Sequence, residues 1–129
     1  MNVNFTVFAD KILSGEKRQT IRKVSPKWSG VEVGDELTLY TGLRTKNCRK
    51  LGKAEVESIK DIRIETRKGE YWEVYINNKP LCATDIYALS KADGFELMDD
   101  FLRFFHDHYG TKFKGKIIKW KNFKTGNEK

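Results

Sequence analysis

Cysteine and histidine are scarce in this chain of 129 residues, and neither is spaced to bind a metal. Cys48 and Cys82 lie far apart and match none of the paired spacings of zinc sites. His106 and His108 are two positions apart in a segment with helical periodicity, so their side chains point in different directions. One disulfide between the cysteines is an alternative, but two free thiols in a reducing compartment fit this usage better. We therefore expect no metal and no cofactor.

Long apolar runs are also absent. The longest contain only a few residues, such as Tyr71-Trp72, and none approaches the length that spans a bilayer. The opening segment, MNVNFTVFADKILSG, has neither the charged n-region nor the apolar h-region of a signal peptide. The sequence therefore predicts a cytoplasmic protein without a membrane partner.

What the chain does contain is charge and aromatic surface. Charged residues make up 33% and hydrophobic residues 39%, with 8 Phe, 5 Tyr and 3 Trp, which is enough apolar area for one core. We therefore expect a single domain over residues 1–129. The 25 Lys and Arg exceed the 18 Asp and Glu, and the resulting net charge of +7 favours a polyanionic partner. Many basic proteins bind no nucleic acid, however, so charge alone does not decide the function.

Apolar periodicity predicts several strands mixed with short helices. Residues 53–67 form the longest strand candidate, because apolar side chains dominate its even positions and charged side chains its odd positions. Strand and helix do not alternate strictly, so the predicted fold class is α+β. In chain order we predict a helix at 8–13, a strand at 19–22, a loop at 25–30, strands at 36–41 and 53–67, a hairpin tip at Lys68-Gly69, a strand at 71–76, helices at 84–90 (with Thr84 as N-cap) and 95–109, a strand at 116–123 and a frayed tail at 124–129.

The segment from Gly15 to Arg22 is the most informative part of the chain. It places a lysine, a hydroxyl and a guanidinium close together, at Lys17, Thr20 and Arg22, just after a helix that a glycine can end. The two cations suit a phosphate, and the threonine hydroxyl is a candidate donor or nucleophile. The alternative is a polar strand edge whose charges are simply solvated.

A second basic cluster, which we call the basic segment, covers residues 44–53. It carries no acidic residue, and its arrangement after a strand would suit a phosphate backbone. The alternative is a solvated loop that keeps an edge strand from pairing. The cationic residues of the basic segment are Arg44, Lys46, Arg49, Lys50 and Lys53.

An ordered set of motifs adds a resemblance to this local chemistry. The motifs are Gly-x-Lys-x-x-Thr-Ile-Arg at 15–22, Val33-Gly34-Asp35, Arg44-Thr45, Cys48-Arg49-Lys50-Leu51-Gly52, Ala92-Asp93-Gly94-Phe95 and a final strand that holds Trp120. In this order, from about Phe5 to Phe123, they resemble the ASCH domain family. The resemblance implies a PUA-like fold, in which a small, bent, barrel-like mixed sheet is flanked by short helices. It also implies that a basic cleft binds RNA or a modified nucleotide.

The same resemblance raises an enzymatic alternative. One branch of the family, the bacterial amidohydrolases of N(4)-acetylcytidine, is similar in using a lysine, a threonine and a glutamate. Lys17 and Thr20 match the first two by motif position, and the carboxylate falls at Asp93, where this chain has aspartate. The resemblance thus implies Thr20 as nucleophile, Lys17 as base and Asp93 as the supporting acid. A ribonuclease or a protein-interaction module are further alternatives.

These residues predict a geometry. Lys17, Thr20, Arg22 and Asp93 should converge on one concave surface, with Asp93 within about 10 Å of Lys17, because proton transfer needs direct or one-water contact. Lys17 must precede the strand, since strict alternation would put it on the face opposite Thr20. The alternative for Asp93 is that it caps the helix that begins near Phe95.

Overall fold

The structure, a computed structural model, describes residues 1–67 and 71–126. The predicted hairpin tip at Lys68-Gly69 and residues 127–129 of the predicted tail lie outside the described residues. The elements in chain order are β1 (Asn2–Phe5), α1 (Ala9–Ser14), β2 (Gln19–Lys23), α2 (Pro26–Ser29), β3 (Glu36–Thr41), β4 (Arg49–Arg67), β5 (Tyr71–Ile76), β6 (Lys79–Pro80), α3 (Ala83–Ala92), α4 (Met98–Tyr109) and β7 (Lys112–Thr125).

The strands form one mixed sheet around the long strand β4. On one edge, β4 pairs antiparallel with β3 near its start and with β5 near its end, and β7 runs antiparallel along its other edge. β7 also pairs antiparallel with β2, whereas β1 pairs with β3 in parallel. Among the described residues β1 and β2 are not paired with each other, so the sheet stays open between them. The α+β prediction is confirmed.

The alternation of β4 explains why the sheet buries a core on one side. Leu51, Ala54 and Val56 are buried, and so are Ile62 and Ile64 further along, while charged neighbours between them remain exposed or partly so. The register between β4 and β7 shifts at two places, between Lys53 and Glu55 and between Val56 and Ser58. Such bulges bend a strand, and the bend lets β4 serve two separate cores.

Each core lies against one half of the bent sheet. The first is packed by β1, β3 and the opening half of β4, and its members include Phe5, Trp28, Leu37, Leu39 and Trp120. The second is covered by α3 and α4, whose apolar faces pack on β5 and β7, and its members include Ile64, Phe101, Phe105, Phe113 and Ile117. The apolar positions that predict a helix at residues 95–109 thus form the face of α4 that covers the second core.

Several boundaries differ from the sequence-based expectation. α4 begins at Met98 rather than at 95, because residues 93–97 form an irregular turn. α3 begins at Ala83 after an N-cap at Cys82, so the predicted N-cap at Thr84 is wrong. The predicted loop at 25–30 contains the single turn α2, in which Ser25 Oγ accepts from the Trp28 N–H.

The two ends of the chain also differ. β1 was not predicted, since its polar residues Asn2 and Asn4 mask a strand in which only Val3 and Phe5 are buried. β7 begins at Lys112 and continues to Thr125, so it covers the predicted start of the tail. Lys124 and Thr125 pair with β4, and the Gly126 N–H donates to the Leu51 carbonyl at 2.8 Å.

Candidate functional site

A cleft opens where the sheet stays unclosed, between β1 and β2. Its volume is about 360 Å³. Asn4 and Phe5 of β1 line it together with Thr20 and Arg22 of β2. Arg22 bridges the two strands, because its Nη2 donates to the Asn4 carbonyl at 2.7 Å. The opening of the sheet therefore surrounds one concave space with polar groups from two strands.

Lys17 reaches the cleft from the turn between α1 and β2. α1 ends at Gly15, whose φ of 85° lies in the left-handed region that suits glycine. The chain then folds back, so that the Lys17 N–H donates to the Lys11 carbonyl at 3.0 Å. Lys17 thus precedes the strand, as the alternation argument requires, and its side chain points inward with only 3% of the residue exposed.

Asp93 contacts Lys17 directly within the cleft. The Lys17 Nζ lies 3.2 Å from Asp93 Oδ1 and donates to the Asp93 carbonyl at 2.5 Å. The amide of Gln19 adds a longer contact of 3.4 Å to the same carboxylate oxygen. Asp93 is 6% exposed. The predicted proximity of Lys17 and Asp93 is confirmed as a direct, buried contact.

The backbone around Asp93 explains this placement. Asp93 is the C-cap of α3, and Gly94 follows with a φ of 108° that a side chain would strain. A Cβ at position 94 would also lie 3.0 Å from the Phe8 ring. The proposed capping of the following helix by Asp93 is wrong, because α4 starts later and has Leu97 as its N-cap.

The buried pair is electrostatically perturbed. Burial lowers the pKa of Lys17, the charge and hydrogen bond of Asp93 oppose this shift, and the charge of Arg22 adds to it. Burial also raises the pKa of Asp93, against the opposing effects of Lys17, Gln19 and Arg22. Both directions disfavour the ionised forms, so a neutral amine at Lys17 is more accessible than it is on the surface.

Thr20 and Arg22 form the second polar unit of the cleft. They share one face of β2, and Arg22 Nε donates to Thr20 Oγ1 at 2.8 Å. Ile21 between them packs in the second core, as the alternation predicts. A guanidinium that donates to a hydroxyl oxygen stabilises negative charge developing there. The structure therefore brings Lys17, Thr20, Arg22 and Asp93 together around one cleft.

A group of aromatic residues, which we call the aromatic wall, also lines the cleft and was not predicted from the sequence. Its members are Phe8, Phe95, Phe104, His108 and Tyr109. Phe104 and His108, one turn apart on α4, lie with ring centroids 4.1 Å apart and planes inclined by 30°. The His108 Nδ1 is 2.8 Å from the Phe104 carbonyl, which only accepts, so this nitrogen carries the proton.

A sequence signal for this wall existed. The buried stripe of α4 runs through Phe101 and Phe105, but Phe104 and His108 repeat the same spacing on the adjacent face. Two aromatic rings beside a complete core stripe indicate a second contact surface. The i, i+2 spacing of the histidines argues against a shared metal site but gives no sign of this wall. His106 instead packs edge-on against Trp72, with centroids 6.0 Å apart.

None of the cations of the basic segment lines the cleft. Arg44, Lys46, Arg49 and Lys50 are all exposed, and no carboxylate of the described residues forms an ion pair with them. A shallow groove of about 540 Å³ lies beside Lys50 and Lys53, but the carboxylates of Glu36 and Glu55 line it too. The groove is lined by different residues from the cleft.

Other sequence-based expectations concern thiols, metals and membranes. Cys48 and Cys82 are exposed free thiols. Within residues 1–67 and 71–126, no three His, Cys, Asp or Glu residues cluster in a way that would hold a metal ion. None of the helices in this part of the chain has the length and apolarity needed to cross a bilayer.

Compared with known proteins, the chain matches no family model, no curated protein and no solved structure.

Proposed function

We propose that the chain is an ASCH-type domain with a PUA-like fold, and that its cleft binds a base of RNA or of a modified nucleotide. The observation that carries this proposal is the composition of the cleft. Buried Lys17, Thr20 and Asp93 supply polar groups to the cleft, and the aromatic wall lines the same space. Nucleobases are planar and carry polar edges, so they need both kinds of side chain.

The dimensions and the fold support the proposal. A volume of about 360 Å³ lies within the roughly 300–1,000 Å³ typical of small-ligand sites. Phe104 and His108 present a tilted ring pair, and stacking of a base on such rings tolerates different sequences. The bent, open, mixed sheet with short helices is compatible with the PUA-like architecture. The net charge of +7 favours a phosphate-bearing ligand.

Titration of the protein with short single-stranded RNA at several salt concentrations tests this proposal. We expect affinity to fall steeply with salt, because phosphate contacts release counterions. Binding should also change the fluorescence of Tyr109, which lines the cleft. Absence of binding to RNA and to nucleotides at about 50 mM salt would contradict the proposal and favour a protein-interaction module instead.

A second candidate function is hydrolysis of an acylated nucleoside such as N(4)-acetylcytidine. The observation that favours it is the contact of Arg22 Nε with Thr20 Oγ1 in the same cleft as the Lys17–Asp93 pair. Thr20 Oγ would attack the acyl carbonyl while neutral Lys17 takes the hydroxyl proton. The amine would then leave with a proton from Lys17, and water would hydrolyse the acyl-threonine to release acetate. Asp93 would hold Lys17 in place throughout.

Incubation with N(4)-acetylcytidine and chromatography for cytidine separates this chemistry from binding. If turnover occurs, Lys17→Ala and Thr20→Ala should each abolish it, whereas Lys79→Ala and Thr111→Ala, exposed residues outside the cleft, should not. Turnover that survives Thr20→Ala would eliminate the nucleophile assignment. Gel analysis of the RNA from the titration tests the ribonuclease alternative, which requires shortened products.

A further inference from the structure

Two cationic side chains are hydrogen-bonded to the edge of β1 that does not pair with β3. β1 pairs with β3 along one edge only. On the other edge, Lys27 Nζ donates to the Asn2 carbonyl and Arg22 Nη2 donates to the Asn4 carbonyl, each at 2.7 Å. Carbonyls two residues apart on a strand face the same edge about 6.6 Å apart. Both head groups are thus held side by side by backbone hydrogen bonds.

A third cation is attached to the same strand. The side-chain oxygen of Asn4 accepts from the Leu43 N–H at 2.8 Å, which fixes the turn after β3 beside β1. The turn is closed by the Thr45 N–H, which donates to the Gly42 carbonyl at 3.0 Å. Arg44 lies in this turn with a φ of 70°, an unusual conformation for a residue with a side chain. Asn4 therefore links the positions of Arg22 and Arg44.

These three cations are close enough for their charges to interact. No carboxylate among the described residues forms an ion pair with Arg22, Lys27 or Arg44. Burial lowers the pKa of Lys27, and the positive charges of Arg22 and Arg44 lower it further. Their mutual repulsion would be relieved by an anion placed between them.

The position of this cluster relative to the cleft points to one kind of anion. Arg22 and Asn4 line the cleft, whereas Lys27 and Arg44 stand outside it. A group bound by all three cations would therefore sit at the mouth of the cleft, beside a base held within. This is the arrangement of a base and its phosphate in a nucleotide.

We propose that Arg22, Lys27 and Arg44 form a phosphate subsite at the mouth of the cleft, so that the ligand is a phosphorylated nucleotide or an RNA phosphodiester rather than a free nucleoside. The inference rests on the proposed function, because it assumes that the cleft holds a base. Lys27 is thereby added to the site. Arg44 belongs to the basic segment, but its proposed role is in the phosphate subsite.

Calorimetric titration with the four ribonucleosides, their 5′- and 3′-monophosphates and short RNA without terminal phosphates tests this inference. We expect the wild-type protein to bind at least one monophosphate, or the RNA, about tenfold or more tightly than the matching nucleoside. Lys27→Ala and Arg44→Ala should each reduce this ratio severalfold, and Lys27→Arg should restore it. Lys79→Ala removes an equal charge at the other end of the sheet and should leave the ratio unchanged.

The outcomes separate the two proposals. Equal affinity for nucleosides and phosphorylated ligands, with no effect of Lys27→Ala or Arg44→Ala, would overturn the phosphate subsite while the base-binding cleft stands. If neither nucleosides, nucleotides nor RNA bind, the proposed function fails and the subsite fails with it. A preference for monophosphates alone would assign the subsite to a terminal phosphate, and tight binding of the unphosphorylated RNA would assign it to the backbone.

Discussion

The cleft and the basic segment each contain a cluster of cationic residues in the sequence, but the two clusters differ in their burial in the folded protein. In the cleft, Lys17 is buried against Asp93, and its contacts come from residues distant in the chain. In the basic segment, Arg49 and Lys50 remain exposed at the start of β4. A buried charge must be held by specific partners, whereas an exposed charge acts mainly through its field. Mutation of the buried pair in the cleft should therefore change mainly the stability of the protein, whereas mutation of the basic segment should change mainly the salt dependence of RNA binding.

The largest expected effect concerns the buried pair. Asp93→Ala leaves the ammonium of Lys17 with fewer partners in a buried site, and we expect the free energy of unfolding to fall by about 3–5 kcal/mol. Urea denaturation measures this loss. The matched control is Glu96→Ala, which removes an exposed carboxylate bonded to Lys11 and Lys91.

The control isolates burial as the cause. Contacts with Lys11 and Lys91 lower the pKa of Glu96 to about 2, but solvent screens such pairs, so its removal should destabilise the protein far less than Asp93→Ala does. Equal losses for the two variants would show that the buried contact has no special role. The double variant Lys17→Met/Asp93→Leu should recover much of the stability that Asp93→Ala removes.

A smaller effect is expected for ligand affinity at the aromatic wall. Phe104→Ala removes a ring on which we propose that a base stacks, and stacking contributes about 1–3 kcal/mol per base. RNA affinity should therefore fall by about five- to a hundredfold. Tyr87→Ala, an exposed aromatic of α3 outside the cleft, is the control and should leave affinity unaltered. A similar loss for both variants would place the RNA elsewhere.

The pH dependence of stability gives the next effect. Because burial lowers the folded-state pKa of Lys17 below 10.5, the unfolded chain binds more protons between the two pKa values. Stability from this group therefore rises with pH in that window, with a limiting slope of about 1.4 kcal/mol per pH unit. We expect the wild type to gain stability relative to Lys17→Met/Asp93→Leu as the pH rises towards 10.5, the ordinary pKa of lysine. A flat difference would contradict the burial of Lys17.

The smallest effect is predicted in the basic segment. Replacing Arg49 and Lys50 by alanine should weaken RNA binding uniformly across sequences. It should also flatten the salt dependence, with the slope reduced by about 0.7 for each phosphate that the variant no longer binds. Neither change should alter the preference for one base over another. Loss of base preference in these variants would show that the basic segment, and not the cleft, discriminates between bases.

How far the sequence predicts this molecule depends on how local each feature is. The strand β4 from Lys53 onwards and the helix α4 follow from periodicity, and the turn at Gly15 that places Lys17 follows from one glycine. Residues 49–52, expected in a loop, instead form the start of β4. The motif resemblance predicts that Lys17 and Asp93 meet, and the contact itself is direct. These features need only local pattern or ordered motifs.

The features that escaped prediction depend on tertiary pairing. β1 is short and half polar, and it is held in place by its parallel partner β3 rather than by its own pattern. The anchoring of Lys27 on the Asn2 carbonyl requires that β1 and α2 lie side by side, which no spacing in the sequence reveals. Fraying is expected at a chain terminus, but pairing with β4 extends β7 to Thr125.

We propose that the cleft beside Lys17 is the functional site of this protein. A crystal structure with a short single-stranded RNA bound tests it most directly. We expect one base between the aromatic wall and Thr20, with its phosphate within hydrogen-bonding distance of Arg22. A base bound along Arg49 and Lys50, with the cleft containing only solvent, would contradict it.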